Sequence, residues 1–158
     1  DIPGRTGVRI TDETLARLAE HERILAVKDA TGDVEQGFRR MEATGLEYYS
    51  GDDGLNFAWL AHGASGVVSV VAHADAHSWR EMITEVDAGD LAGARAVARR
   101  IRPLVQAIMG GGQGAVMAKE ALLLQGRIPS AALRLPLVRA EADEVAALRA
   151  VLDASGLL

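Results

Sequence analysis

Three short apolar runs constrain this chain more than any other feature: ILAVK (24–28), LEYYS (46–50) and GVVSVV (66–71). More than a dozen residues separate each run from the next. Hairpin loops use about two to five residues, whereas parallel strands need a crossover of roughly a dozen or more. Both intervals carry a helical pattern. The first holds a helix from about Asp33 to Thr44, stopped by Gly45. The second turns at GDDG and continues as LNFAWLAHG (55–63), which ends in glycine. The spacing therefore predicts an α/β chain with buried parallel strands. Ahead of them, Thr11 caps DETLARLAEH (12–21), with acids in the first turn and Leu15, Leu18 and Ala19 on one face.

From Asp75 onward the pattern is helical only, over 75–88, 90–109, 113–126 and 141–155, with Pro103, Pro129 and Pro136 as punctuation. Three strands are too few to close a parallel barrel, so more strands are expected to complete the sheet. DIPGRTG (1–7) reads as loop chemistry, with Pro3 and Gly4 in a turn and Arg5 projecting. The expectation is a chain that starts partway through a domain. Alone, it would expose sheet edge and apolar surface, and it is expected to be inactive and prone to aggregate.

Composition removes several classes of function. The 158 residues are 49% hydrophobic, enough to bury a core, and no cysteine is present for a disulfide or a thiolate metal site. No run approaches the roughly 18 apolar residues of a membrane span. A net charge of -5 argues against nucleic acid as a partner, and the basic stretch RAVARRIRPL (95–104) has the spacing of a solvated helix face. The expected location is the cytoplasm.

Lys28 is the residue that needs explaining, because it follows four apolar residues at the end of a strand. Parallel α/β folds place their sites at that end. An ammonium among apolar walls loses hydration, which favours the neutral amine that can attack a carbonyl. Lys28 is thus a candidate Schiff-base former. Alternatively, it leaves the core there and pairs with Asp29 or Asp33. SGDD (50–53) stands at the same rim, either to bind a polar group or as a turn and helix start with Asp52 and Asp53 at its N-terminus. His62, His73 and His77 lie apart or loosely spaced and predict no metal site. GGGQG (110–114) lacks the lysine of a phosphate loop and reads as a helix connection.

Taken in order, IPGRTG (2–7), AVKDATGD (26–33), YYSGDDGLNFAWLAHGASGVVSVV (48–71), AKEALLLQG (118–126) and LRLPLV (133–138) resemble the C-terminal half of the dihydrodipicolinate synthase family over essentially the whole chain. The resemblance implies the last three strands of a TIM (β/α)8 barrel, with residues 1–88 its C-terminal portion and residues 89–158 a helical region. It implies a Schiff-base lyase that condenses pyruvate with L-aspartate 4-semialdehyde in lysine and diaminopimelate biosynthesis, working without cofactor or metal as a homotetramer built as a dimer of dimers. Lys28 matches the imine-forming lysine, and Arg5 the arginine that helps bind the semialdehyde carboxylate. Gly51 matches a backbone contact near the substrate, and Val68 a branched residue touching the pyruvate-derived group through its backbone. The family's relay tyrosine lies just before the segment matching Asp1 and its paired threonines lie earlier; Tyr48 and Tyr49 do not replace them. Sister enzymes such as N-acetylneuraminate lyase and keto-deoxy-sugar acid aldolases share the barrel and lysine, and a non-catalytic half-barrel partner is a further alternative.

Overall fold

In the computed structural model, which describes residues 1–111 and 113–158, the three apolar runs pair in parallel in the order β1-β2-β3. The strands are β1 (Ala26–Asp29), β2 (Glu47–Ser50) and β3 (Gly66–Val67). Lys28 lies opposite Tyr49, which lies opposite Gly66. These strands belong to the first of two compact units, Asp1–Ser69 and Val70–Leu158.

Helices α1 (Pro3–Thr6), α2 (Asp12–Ala19), α3 (Val34–Thr44) and α4 (Asn56–Ala61) complete the first unit. The expected caps form: Thr11 Oγ1 accepts from the Thr14 N–H at 3.2 Å, and Asp33 Oδ1 from the Gln36 N–H at 3.1 Å. Gly45 ends α3 at φ 65°, a conformation that favours glycine, and its N–H closes on the Met41 carbonyl. The core gathers Leu15, Leu46, Tyr48, Trp59 and Ala64, with Val27 and Phe38 packed against it. The Tyr48 and Trp59 rings stack at 5.7 Å, and Phe38 meets Trp59 edge-on at 5.2 Å.

Three expectations need correction. Residues 1–7 are not all loop: Pro3 starts the single-turn α1, and Gly7 at φ 77° returns its N–H to the Pro3 carbonyl. The third strand is shorter than 66–71. The Val68 N–H still reaches the Ser50 carbonyl at 2.7 Å, but β2 ends at Ser50, and the backbone turns into a 3-10 segment at Val71–His73. Nor are the strands buried on both faces. Val27, Tyr48 and Asp29 point to the aromatic core side, whereas Ala26, Lys28 and Glu47 are exposed. Alternation along each strand sends successive side chains to opposite faces, and within this unit the helices' apolar residues cover only one of them.

The free edge of β1 is also partly paired. The Asp1 nitrogen donates to the Lys28 carbonyl at 2.8 Å, and the Ala30 N–H donates to the Asp1 carbonyl at 2.8 Å, the pattern of a parallel ladder. Arg40, only 6% exposed, braces this segment from α3. Its Nε donates to Asp12 at 2.6 Å and its guanidinium to the Ile10 carbonyl at 2.8 Å, with Asp1 Oδ2 at 3.4 Å.

The second unit contains α5 (Ala76–Asp87), α6 (Leu91–Met109), α7 (Gly114–Leu124) and α8 (Ala142–Ala154). Asp75 and Asp90 cap α5 and α6. Ala94, Val97, Ile101, Leu104 and Ile108 make the buried stripe of α6, which runs through Pro103. Arg95, Arg99 and Arg102 face solvent, and Arg100 pairs with Glu81, so the basic stretch is a helix face. The glycine-rich connection at 110–114 includes Gly112, which lies outside the described residues. Among the described residues no helix is long and apolar enough to cross a membrane.

Candidate functional site

Lys28 stands on the exposed face of β1, one residue from the strand's C-terminal end. Its neighbours follow from register. Tyr49 and Gly66 share its row, and Ala30, Gly51 and Val68 begin the next row toward the rim. The ladder reaches that row: the Gly51 N–H donates to the Asp29 carbonyl at 2.7 Å, as the Val68 N–H does to Ser50.

The two acidic partners considered for Lys28 are engaged elsewhere. Asp29 points to the opposite face and is 1% exposed. One of its carboxylate oxygens accepts from the Thr31 N–H at 2.9 Å and the Thr31 hydroxyl at 2.8 Å, holding the DATGD turn. Asp33 caps α3, with Arg9 at 3.7 Å. Among the described residues no carboxylate lies within ion-pair distance of the Lys28 ammonium. Lys28 is exposed, so the apolar walls expected around it are not formed by this unit.

Gly51 and Lys28 come together. A side-chain carbon on Gly51 would fall 2.5 Å from Lys28 Cε. Gly66 similarly leaves room for the Tyr49 ring, which a Cβ there would meet at 3.1 Å. Tyr49 donates its hydroxyl to Glu47 at 3.2 Å, and this bond raises its phenol pKa. Val68 is 47% exposed. Arg5 lies on α1, exposed, in the turn that follows Asp1's two bonds to β1.

SGDD is a turn rather than a free cluster of carboxylates. Asp52 Oδ1 accepts from the Gly54 N–H at 3.0 Å, Asp53 Oδ1 from the Asn56 amide at 3.3 Å, and the Asp52 carbonyl from the Ser50 hydroxyl at 3.2 Å. His62 stacks on Phe38 at 3.7 Å, and His73 Nδ1 lies 2.9 Å from the Val70 carbonyl. Among the described residues no three His, Asp or Glu side chains gather as a metal site.

Sequence reasoning missed the Asp29 turn and the Arg40 brace. Asp29 followed two residues later by Thr31 was a readable signal of a side-chain-closed turn. Arg40 gave none, because its partners lie far away in sequence.

Comparison with known proteins converges on one family. The model of the dihydrodipicolinate synthetase family matches residues 1–155. A curated 4-hydroxy-tetrahydrodipicolinate synthase of Kineococcus radiotolerans is 52% identical over 157 residues, 99% of this chain and 51% of that one. The crystal structure of dihydrodipicolinate synthase from Thermotoga maritima is 37% identical with a TM-score of 0.94, over 100% of this chain and 55% of the other. The chloride-inhibited enzyme of Acinetobacter baumannii, complexed with pyruvate, is 32% identical with a TM-score of 0.93, over 100% of this chain and 54% of that one. The chain thus spans about half the length of the curated relatives it matches.

Proposed function

The chain belongs to the dihydrodipicolinate synthetase family, and on that premise we propose that it is the lysine-bearing part of a 4-hydroxy-tetrahydrodipicolinate synthase. One observation carries the reading: Lys28 stands near the C-terminal end of a parallel strand, on an exposed face, with no carboxylate partner among the described residues and its stem against Gly51. Parallel barrels place reacting groups at that end.

In the proposed cycle the neutral Lys28 amine attacks the ketone carbon of pyruvate, and the carbonyl π electrons pass to oxygen. Proton transfer and loss of water leave an iminium. Removal of a methyl proton sends its electron pair into the iminium. The resulting enamine carbon adds to the aldehyde of L-aspartate 4-semialdehyde, whose oxygen takes up a proton. Attack by the substrate's own amine on the former ketone carbon closes the ring and releases Lys28. The proton relay and the groups holding the pyruvate carboxylate belong to the rest of the enzyme.

Arg5 is proposed to bind the semialdehyde carboxylate, a role suited to a planar, permanently charged fork. Gly51 and Val68 are proposed to meet the bound pyruvate-derived group through their backbones at the rim. The strands β1 to β3 are read as the last three of the barrel, and α5 as its last helix, which sets the division at 1–88 and 89–158. Asp1's pairing on the free edge of β1 supports a further strand there. The assembly is proposed to be a cytoplasmic homotetramer, a dimer of dimers.

Intact mass before and after pyruvate with borohydride, followed by peptide mapping, tests the reading on the protein at its natural length. A pyruvate-sized increment on Lys28 is expected; no increment on the folded protein would rule it out.

A further inference from the structure

A glycine is required at position 51 for space, not for backbone freedom. Its φ lies outside the left-handed region, so other residues fit its conformation. What they would not fit is the surroundings. A Cβ there would lie 2.5 Å from Lys28 Cε, 3.0 Å from the Ala30 Cβ and 3.2 Å from the Asp29 carbonyl oxygen. The backbone of Gly51 has little freedom to withdraw, because its N–H is bonded to that same Asp29 carbonyl at 2.7 Å. Of the three neighbours, the closest is also the softest, since Lys28 Cε is near the end of a flexible side chain. The largest shift an added methyl group demands is therefore taken by the lysine, while the Ala30 Cβ and the Asp29 carbonyl must each give by a few tenths of an ångström.

We propose that Gly51 is a positioning residue for Lys28: the missing side chain at 51 is the slot in which the lysine stem lies, and it fixes where the amine meets a carbonyl carbon. This deepens the Schiff-base reading and rests on it. To regain an ordinary contact of 3.4 Å or more, Cε must retreat by about 1 Å, and the amine moves with it. A misplacement of that size costs roughly 100-fold in a reaction that depends on alignment. The fold is expected to change little, because most of the strain leaves through the far end of a flexible side chain.

The test compares the parent with Gly51→Ala, both at the protein's natural length, by the rate of borohydride-trapped imine formation with pyruvate across pH. The expected result is an adduct still on Lys28, formed roughly 100-fold more slowly, with a displaced pH profile and an unchanged denaturation midpoint. Trapping within about threefold of the parent, with the same pH profile, overturns the inference. A second variant, Ala30→Gly with Gly51→Ala, removes the 3.0 Å contact while keeping the one to Lys28. It is expected to trap as slowly as the single variant and to fold even if that one does not. Recovery to the parent rate would assign the defect to Ala30 and overturn the inference. Absence of any Lys28 adduct in the parent would instead sink the Schiff-base reading beneath it.

Discussion

Tyr48 and Tyr49 are neighbours in sequence and live in different environments. Tyr48 is fully buried, stacked on Trp59, and burial pushes its phenol up to about 12. Tyr49 shares the other face with Lys28, where its hydroxyl bonds the exposed Glu47. The two faces of this small sheet therefore have separate duties. One is packed by aromatic rings and holds the unit together; the other presents the lysine and the backbone groups of the rim. The pleat alternates these duties from one residue to the next along the strand, so substitutions are expected to sort by face rather than by proximity in sequence.

The largest expected effect tests the lysine face. On the proposed Schiff-base reading, Lys28→Met in the protein at its natural length should abolish the pyruvate adduct and lower turnover by at least about four orders of magnitude. Because Lys28 makes no ion pair among the described residues and methionine keeps its apolar stem, the unfolding free energy should fall by no more than about 0.5 kcal/mol. Denaturation alongside trapping checks both halves. A large stability loss would break the division between the faces.

Trp59→Ala tests the packed face. Trp59 is 2% exposed and touches both Phe38 and Tyr48, so its loss should cost about 3–5 kcal/mol in denaturant titrations. Trapping at Lys28 should persist wherever the variant remains folded. Gly37→Ala presses the same ring from α3. Helix propensity alone would favour alanine by about 1 kcal/mol. A Cβ there would sit 2.0 Å from the Trp59 ring, however, and overpacking of this kind costs about 1–3 kcal/mol. The clash should decide the sign, and a stabilised Gly37→Ala variant would show that the ring has room to move.

Local signals made much of this architecture legible in advance. Thr11, Asp33 and Gly45 marked helix ends by chemistry that acts within a turn, and the long intervals between apolar runs required parallel pairing. The position of Lys28 at a strand end was readable for the same reason. Burial of a strand's second face was not, since it depends on elements remote in sequence: the apolar run of ILAVK predicted two covered faces, yet Ala26, on the same face as Lys28, is exposed. The shortness of β3 depends on where β2 stops. The reason for Gly51 is a contact between two strands, and a lone glycine after SGDD's serine gives no sign of the side chain it must clear. The resemblance named Gly51 but did not supply that physical reason.

The smallest effects sharpen the comparison most, because they change one oxygen on each face. Tyr48→Phe removes a buried hydroxyl that has no hydrogen-bond partner among the described residues, so stability at neutral pH should be unchanged or higher by up to about 1 kcal/mol. The alkaline behaviour gives the sign. A phenol whose folded pKa is raised from 10 to about 12 favours the fold below the unfolded value, and that contribution disappears as pH rises through the folded one. Alkaline unfolding of the parent between pH 10 and 12 should therefore weaken in Tyr48→Phe. Tyr49→Phe should leave the neutral midpoint where it was, because an exposed bond to Glu47 exchanges readily with water. Equal alkaline profiles for the two variants would mean that the faces differ less than their burial indicates. A selective change in Tyr48→Phe would tie the alkaline limb of unfolding to the packed face.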